Sequence, residues 1–547
     1  MLVNEAATGD SGQNPINLKE APADFPQQFS PKRAEWVVVF LLLLFGIILN
    51  LTTARLYPTV WLDEILWSEP AINLIRTGHF TTSVWQLQPA NTFWAAQSPL
   101  YPLLMSVWLR FTGFSLEAIR SFNLLLITIG ALLSWIALWR FRLVSQSRTR
   151  ILVLPLIFLG YGISFSYRCS RPDILGMLSL LGLALVFSVR KRGCRELLIV
   201  IGSVATSTVG VQVALYAVCV SIIAKLCLRG FSWRETLLVW IGAALGGASV
   251  LLFYEAHGSL PYFMATLHQA ATEQTNWGDH IHTWIGSLGK RLNGILASYT
   301  GDLSAVALII VLFLAWFWRR HAITSFRRQV LVFLAVIYLL IPTIFSFTGH
   351  FAFYYAYLIY LPVVLAILTV YSPSADEISR IPFRRLTRFL FYSAVISAMS
   401  AGLPLRLVLG AVFYKTVPRN EYRRVIHAHA TLADVAFCDY PGFFEVKQEL
   451  QHVFAPMYSK HFAELVPSAH EFTTEEKALL TVLIVRPDRL SDYEAYFGGK
   501  WKAVSQPFGD TFREERLPKT PVLARVLRRH LESPQMARYQ LQVFRRE

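Results

Sequence analysis

The chain has little charge and no cysteine pattern, and these two shortages exclude whole classes of protein. Only 16% of its 547 residues are charged, whereas about a quarter are charged in an ordinary soluble protein. Its five cysteines show neither a C-x-x-C pair nor any other paired spacing. We therefore expect neither a disulfide framework nor a zinc cluster.

What the sequence has instead is long apolar runs. Hydrophobic residues make up 54% of it, the mean hydropathy is +0.43, and apolar runs of about 20 residues recur, as in helices that cross a bilayer. The net charge of +16 could suggest a nucleic-acid partner, but the basic residues lie in short tracts between the apolar runs, as in cytoplasmic loops. The sequence predicts a polytopic α-helical membrane protein, surrounded by membrane lipids, with no nucleic-acid partner.

The apolar runs predict about eleven transmembrane helices. The first 34 residues are polar and too long and acidic for a signal peptide, so we predict a disordered cytoplasmic tail, residues 1–34, before an uncleaved first span. The transmembrane domain is predicted over residues 35–414. Its spans are predicted near residues 36–57, 117–139, 151–167, 174–189, 196–209, 211–227, 235–255, 303–318, 329–347, 353–371 and 389–414.

Basic tracts fall in every second connection between these spans, which predicts an orientation. Lys32 and Arg33 precede the first span, and the tract 140–150 follows the second. The positive-inside rule places such connections and the N-terminus in the cytoplasm of a plasma (inner) membrane protein. The loops 58–116 and 256–302, and the tail from about Lys415, are then extracytoplasmic. The apolar run 98–113 is short for a span and contains Arg110, so we predict a helix along the outer interface.

The last part of the chain, residues 415–547, differs in character. It alternates short strand-like runs such as DVAFCD, LLTVLIVRP and YQLQVF with polar helical segments. This pattern predicts a small extracytoplasmic α/β domain. It contains no glycine-rich phosphate loop and no histidine pair at metal-ligand spacing, so we interpret it as a cap on the outer loops rather than a second catalytic domain.

Acidic residues stand at two predicted exits from the membrane. Asp63 and Glu64 follow the first span within TVWLDEILWSEP, between large apolar side chains, and Asp173 follows the third within SRPD. Partial desolvation raises the pKa of a carboxyl group toward the range of a general base. Acids that emerge on one face indicate a functional cavity, although a solvated helix end explains Asp63 and Glu64 about equally well on this pattern alone.

Several motifs, taken in order, resemble the C-type membrane glycosyltransferases. They are LDE after the first span, a loop ending in GHF, QSPLYPLLMSVWLRFTGFSLEAIRSFNLLL, RPDILGMLSLLGLALVF and, more weakly, GHFAFYYAYLIYLPVVLAI. The nearest branch is the protein mannosyltransferase-like one, with the lipid A aminoarabinose transferases and the RgtA/B/C/D-like enzymes. The resemblance covers residues 36–190 best. It implies the C-type fold and transfer of a sugar from a polyprenyl-phosphate donor to an envelope glycan, lipid or protein at the outer face.

The resemblance also implies roles for the acids. Asp63 corresponds to the acid proposed in such enzymes as the base or acceptor-positioning group, and Asp173 corresponds to a second catalytic acid. Glu64, beside Asp63, is expected to contact substrate. Both catalytic acids suit the chemistry, because an acceptor hydroxyl must lose its proton as it attacks an oxocarbenium-like anomeric carbon.

The phosphate that leaves must be stabilised by a cation, and here the sequence departs from the aminoarabinose branch. That branch has a Lys-Pro before the interfacial helix, whereas this chain has Gln97, which can donate a hydrogen bond but carries no charge. Arg171 is the first candidate for the cation, followed by Lys290 and Arg291. All four are predicted substrate-binding residues.

Two further kinds of contact are left open. A divalent metal held by Asp63 or Glu64 with a loop histidine is an alternative, although we interpret the histidines of the 256–302 loop as ordinary surface residues; no other cofactor is predicted. His350 is a candidate for a phosphate or acceptor contact. Tyr354 could stack on a sugar, but a tyrosine at a membrane boundary is also typical of the aromatic belt.

A transporter or flippase of lipid-linked saccharide is the competing interpretation. Such a protein should carry ionisable residues or broken helices near the membrane centre, often in duplicated halves. The sequence has no internal repeat, and the acids singled out above lie at span ends. The pattern therefore favours the transferase, without specifying its sugar or its acceptor.

Alkaline phosphatase fusions test the predicted orientation. The reporter should be active when fused after Glu547 and inactive when fused near Ser145, because it needs disulfides that form only outside the cytoplasm and the basic tract around Ser145 is predicted to be cytoplasmic. Phosphatase activity of the two fusions is the measurement. The opposite pattern would reverse the orientation and remove Asp63 from the outer face.

Overall fold

The computed structural model describes residues 31–272, 325–348, 357–372, 384–463, 471–533 and 536–547, with short helical pieces between 309 and 317. Up to residue 413 the described chain is mainly helical. Its helices there are α1 (Arg33–Thr53), α2 (Leu62–Thr77), α3 (Leu100–Thr112), α4 (Leu116–Arg140), α5 (Ser147–Ile151), α6 (Val153–Leu159), α7 (Tyr161–Arg168), α8 (Asp173–Val186), α9 (Arg192–Val209), α10 (Val211–Cys227), α11 (Trp233–Ala256), α12 (Leu260–Thr272), α13 (Ser325–Thr348), α14 (Tyr357–Val370), α15 (Arg384–Ser400) and α16 (Leu403–Phe413).

The predicted spans coincide with helices wherever the chain is described. By length and composition, 4 stretches of the described chain can each cross a membrane, namely α1, α4, α11 and the stretch Arg385–Phe413 that joins α15 to α16. A fifth is added if Ser147–Leu159 and Gly162–Arg168, bent by 55°, count as one span. The helices α8 and α10 are apolar but shorter. The predicted span 303–318 lies largely outside the described residues, so the count of eleven stays a prediction.

Small residues let two of these helices approach closely. A Cβ atom added at Gly242 of α11 would lie 2.6 Å from Cβ of Ser203 on α9, and one added at Gly246 would lie 2.7 Å from Cβ of Ser207. Glycines four residues apart form one strip of a helix, and such strips are typical of close contacts between membrane helices. Any larger side chain at either glycine would push α9 and α11 apart.

A buried ion pair fastens the first turn of α1. Arg150 donates from Nε to Glu35 Oε1 at 2.8 Å and from Nη2 to Oε2 at 2.6 Å, while Trp135 Nε1 and Ser147 Oγ donate to the same carboxylate. A buried charge needs a partner and hydrogen bonds. This network joins α1 to α4 and α5, so the helix that leads to Asp63 is anchored at its far end.

The loop 58–116, called the outer loop after its predicted side of the membrane, contains α2 and α3. As expected for an amphipathic helix, α3 buries Tyr101 and Met105 and exposes Leu104, Val107 and Phe111. An exposed apolar face of this kind suits a helix that lies along a membrane surface. Its position at the outer interface stays a prediction.

The chain from Tyr414 onward folds around a mixed sheet. Its strands are β1 (Tyr414–Lys415), β2 (Val435–Cys438), β3 (His452–Phe454), β4 (Val482–Val485), β5 (Trp501–Ala503), β6 (Thr511–Phe512) and β7 (Gln542–Arg546). Five of them form one sheet in the order β3-β2-β4-β7-β5; β2 runs parallel to β3 and β4, while β7 runs antiparallel to β4 and β5. All of β4 is buried, as expected for a central strand covered on both faces.

Helices cover this sheet, and a second, smaller sheet joins it to the membrane part. The described helices are α17 (Arg419–His429), α18 (Phe443–Glu449), α19 (Lys460–Ala463), α20 (Thr474–Leu479), α21 (Leu490–Phe497) and α22 (Pro521–Leu531), with short 3-10 helices at Tyr440–Gly442, Pro456–Tyr458, Pro487–Arg489 and Glu514–Arg516. The strands β1 and β6 pair antiparallel, with Tyr414 opposite Phe512. Because β1 follows α16 directly, this pairing ties the sheet domain to the last described apolar helix.

Buried polar contacts also fasten the sheet domain to the outer loop. Lys447 Nζ on α18 lies 3.1 Å from Glu69 Oε1 on α2, and both side chains are buried. Thr82 Oγ1 and Ser83 Oγ donate to the same carboxylate, each at 2.6 Å. Ser83 Oγ also lies 2.7 Å from the carbonyl oxygen of Val453. The outer loop and the sheet domain therefore pack against each other through charge as well as apolar area.

Replacing Lys447 by Met should destabilise this docking, because Glu69 would be left buried without its cation. Breaking a buried pair from one side costs about 3–5 kcal/mol. The control is Arg423→Met, which removes the half-exposed partner of Glu449 and should cost at most about 1 kcal/mol. Melting temperatures in detergent are the measurement, and equal values for the two variants would contradict the role given to Lys447.

Candidate functional site

The two predicted acids beside the first span lie in the first turn of α2. The chain leaves α1 at Thr53 and turns, and α2 begins at Leu62. Acidic residues are favoured in a first turn by the partial positive charge of the helix N-terminus. The neighbouring carboxylates nevertheless have different environments, because the Asp63 side chain is 14% exposed and that of Glu64 is 0% exposed.

Glu64 is held by a bidentate ion pair inside the molecule. Arg120 of α4 donates from Nε to Glu64 Oε1 and from Nη2 to Oε2, each at 2.7 Å. The backbone N–H of Ser170 also donates to Oε1, at 3.3 Å. Arg120 Nη1 reaches the carbonyl oxygen of Pro58 at 3.1 Å. Glu64 therefore fixes the start of α2 against α4 and the turn between α7 and α8. Its expected contact with substrate stays a prediction.

Asp63 and Asp173 are brought together by one arginine. Arg171 makes a close ion pair with Asp63 through Nη1, and its Nε lies 2.6 Å from Asp173 Oδ2. The guanidinium also stands 5.6 Å from the ring centre of Trp61, within the range of a cation–π contact. The predicted acids of two different span ends thus share a single cation.

Hydrogen bonds from side chains of α3 and α4 fix the turn that carries Arg171. Asn123 Nδ2, on α4, donates to the carbonyl oxygens of Cys169 at 2.6 Å and Arg171 at 2.9 Å. Tyr101 donates its hydroxyl to Asn123 Oδ1 at 3.0 Å and lies 3.1 Å from Ser170 Oγ. Burial raises the pKa of Tyr101 well above its usual value, so the hydroxyl stays protonated and keeps donating.

A second arginine fixes the chain that leads into α2. Arg168 Nε donates to the carbonyl oxygen of Tyr57 at 2.7 Å, and its guanidinium also binds the side chain of Asn50 near the end of α1. The hydroxyl of Tyr167 donates to the same amide oxygen at 2.9 Å. These contacts hold the connection between α1 and α2 against α7.

Sequence reasoning did not find the residues that support the acids. Arg120, Asn123 and Arg168 each lie within or beside a predicted apolar span, where an ionisable or amide side chain is costly unless it has a partner. Polar side chains inside the apolar runs EAIRSFNLL and SFSYRCS could therefore have identified these three residues from the sequence. Tyr101 carried no such signal, because a tyrosine in an interfacial helix needs no special explanation.

The other predicted substrate contacts are not joined to this cluster in the described part of the chain. Gln97 is half-buried, and its carbonyl oxygen accepts from the hydroxyl of Tyr254 on α11. Lys290, Arg291, His350 and Tyr354 lie outside the described residues.

The geometry does not fit a metal at the paired acids. Both oxygens of Glu64 are already bound by Arg120, and Asp63 is paired with Arg171. Within the described ranges no three His, Cys, Asp or Glu side chains are grouped so that they could hold a metal ion.

The partners of Arg171 bear on its expected role as the cation for the leaving phosphate. Arg171 lies between Asp63 and Asp173 and is ion-paired with both carboxylates. Two carboxylates thus face one guanidinium, an arrangement that suits a developing positive charge better than a phosphate. Arg171, the first candidate for the phosphate's cation, is already neutralised by its two carboxylates.

Several solved structures resemble this one, although no protein-family profile and no curated protein sequence matches the chain. ArnT from Cupriavidus metallidurans bound to undecaprenyl phosphate aligns with a TM-score of 0.54 at 12% identity, over 88% of this chain and 98% of that one. Arabinofuranosyltransferase AftD from Mycobacteria aligns with a TM-score of 0.51 at 14% identity, over 94% of this chain. This chain spans 40% of the length of AftD.

Both similar proteins are C-type glycosyltransferases, and their similarity runs over most of this chain. At such low sequence identity, structural similarity shows a shared fold and does not identify the substrates. The helical layout and the several apolar helices described above agree with it. The chain has the C-type membrane glycosyltransferase fold.

Proposed function

We propose that this protein is a glycosyltransferase of the plasma (inner) membrane, which moves a sugar from a polyprenyl-phosphate carrier to an envelope lipid, polysaccharide or protein at the outer face. The observation that carries the proposal is Asp63, a partly exposed carboxylate held by Arg171 at the end of the first span of a C-type fold. The similar ArnT structure contains undecaprenyl phosphate, which supports a donor of that class.

Asp63 is proposed as the group that aligns the acceptor and takes its proton. In the reaction the acceptor oxygen forms a bond to the anomeric carbon as the bond from that carbon to the phosphate oxygen breaks. The proton of the acceptor hydroxyl passes to Asp63, and the bonding electrons leave with the polyprenyl phosphate. The carboxylates of the cluster stabilise the positive charge that develops on the sugar.

Arg171 and Asp173 prepare Asp63 for this step. Arg171 holds the Asp63 carboxylate in place through their ion pair, so the group that receives the acceptor hydroxyl is already positioned. Asp173 is proposed to hold the other edge of the guanidinium, with the Nε contact of 2.6 Å. Arg171 is therefore oriented toward Asp63 before substrate arrives, which lowers the cost of assembling the site.

The cation for the leaving phosphate is then proposed elsewhere. Lys290 and Arg291 become the first candidates, because Arg171 is paired on both sides. Gln97 is kept as a neutral hydrogen-bond donor to substrate, and His350 and Tyr354 are kept as contacts to the phosphate and the sugar.

The second candidate function is a transporter or flippase of lipid-linked saccharide. Coupling in such proteins relies on charges near the membrane centre. The Asp63–Arg171–Asp173 cluster instead follows the ends of α1 and α7, which favours chemistry at one face.

The proposed topology places eleven spans between a cytoplasmic N-terminus and an extracytoplasmic sheet domain, residues 415–547. The ion pair between Glu69 and Lys447 supports this arrangement. It requires the outer loop 58–116 and the sheet domain to lie on the same side of the membrane.

Replacing Asp63 by Asn should abolish detectable transfer, because Asn keeps the shape but neither the charge nor the proton affinity of Asp. General-base contributions are about 10²–10⁴-fold in rate. Transfer of label from radiolabelled polyprenyl-phosphate sugars to membrane acceptors is the measurement, with Asp488→Asn, an exposed acid of the sheet domain, as control. Near-normal transfer by the Asp63 variant, at normal expression, would remove Asp63 from the mechanism.

Replacing Glu64 by Gln should act on folding first, since it leaves Arg120 buried without its counter-charge. Breaking a buried pair should lower the free energy of unfolding by about 3–5 kcal/mol. The expected result is therefore a lower melting temperature and a lower yield. Asp63→Asn, by contrast, should leave yield unchanged. If Glu64→Gln melted like the unmodified protein and lost only activity, Glu64 would be a substrate contact after all.

A further inference from the structure

The helix α22 (Pro521–Leu531) presents an exposed surface outside the Asp63–Arg171–Asp173 cluster. Val522 is 72% exposed and Leu523 is 49% exposed, at the start of a helix whose sequence is PVLARVLRRHL. Arg525 and Arg528 are exposed on the same helix. The segment 513–531 contains six basic and two acidic residues. Apolar and basic side chains therefore stand together on the surface of the sheet domain.

The carboxyl end of α22 is anchored beside the last described apolar helix. The hydroxyl of Tyr414, directly after α16, donates to the carbonyl oxygen of Leu531 at 2.8 Å. The side chain of Leu531 is fully buried, in one cluster with Leu403 and Leu409 of α16. The end of α22 thus lies at the level of α16 and not on the far side of the sheet domain.

The free face of α16 is apolar, as expected for a helix that faces lipid. It exposes Leu405, Val408 and Val412, within a stretch long and apolar enough to cross a membrane. At 1.5 Å per residue, Leu523 lies roughly 12 Å along the helix axis from Leu531. The exposed apolar residues of α22 therefore lie within roughly 12 Å, along the helix axis, of the residue that packs against α16.

We propose that α22 is an interfacial helix that rests on the outer leaflet of the membrane. Val522 and Leu523 enter the boundary between headgroups and acyl chains, and Arg525 and Arg528 contact the phosphates of anionic phospholipids. Basic residues beside exposed apolar ones are the composition of helices that bind at such a boundary. The pair of Arg528 with Glu514 at 2.8 Å is exposed on both sides, so it competes only weakly with a lipid phosphate.

The contact matters for the molecule because it orients the sheet domain. The domain is held to the outer loop by Lys447 and to α16 by Tyr414. A third attachment at α22, through lipid, would fix the tilt of the domain over the membrane surface. This inference depends on α16 crossing the membrane and is independent of whether the protein transfers sugar.

A nitroxide label at residue 523 tests the position of α22. The full chain, with Cys194, Cys219 and Cys227 replaced by Ser, carries Leu523→Cys and is reconstituted in nanodiscs of phosphatidylcholine with phosphatidylglycerol. The control is Leu479→Cys, a comparably exposed leucine (59%) of the same domain. It lies beside the end of β7, where Arg546 Nη1 donates to the carbonyl oxygen of Lys477 at 2.8 Å.

The expected result is a higher ratio of oxygen to nickel-chelate accessibility at residue 523 than at residue 479, because oxygen concentrates in the bilayer. A second label, at Val522→Cys, should agree. Equal ratios at 523 and 479 would overturn the proposal. Shielding of residue 523 from both reagents would also overturn it, since that pattern indicates a protein partner on this face.

The arginines are tested by Arg525→Gln combined with Arg528→Gln in the same labelled chain. In discs with phosphatidylglycerol, the label at 523 should become more accessible to the nickel chelate, and in discs of phosphatidylcholine alone it should change less. An unchanged accessibility in both lipids would overturn the assignment of these arginines to lipid phosphates.

Discussion

The bidentate pair of Glu64 and Arg120 is the interaction on which the site depends. Both groups are buried, so each would carry a large desolvation penalty without the other. Their pairing fixes the first turn of α2 against α4. Asp63 is the preceding residue of the same turn, and consecutive residues of a helix point about 100° apart. The position of Asp63 over Arg171 therefore follows from where Glu64 is held.

The helix α2 also connects the helices of the membrane part to the sheet domain. Glu64 joins it to a helix of the membrane part, and Glu69 joins it to the sheet domain through Lys447. Both contacts are buried ion pairs, which are tolerant of neither a lost partner nor a large displacement. The sheet domain, the outer loop and the helix turn that carries Asp63 are thus joined through α2.

The division of work between the two neighbouring acids has a simple electrostatic basis. Glu64 shares its charge with one arginine and has no exposed surface, so its role is to hold the backbone. Asp63 and Asp173 share one arginine between them, so carboxylates outnumber guanidinium groups there. They follow the ends of α1 and α7, where a positive centre on a sugar would be stabilised and a phosphate would need a further cation.

The amino-acid sequence by itself determined the helical membrane class, the positions of the spans that the structure describes, and the two span ends that carry Asp63 and Asp173. These features depend on apolar runs and on residues near one another in the chain, which a pattern can express. Only the tertiary structure decided that Glu64 is fully buried while Asp63 stays partly exposed. It also decided that Arg171 joins the catalytic candidates, and that Lys447 reaches Glu69 across 378 residues. Such pairings are chosen by burial and by the need to neutralise each buried charge, and the partners come from helices that are remote in sequence, so no local pattern could specify them.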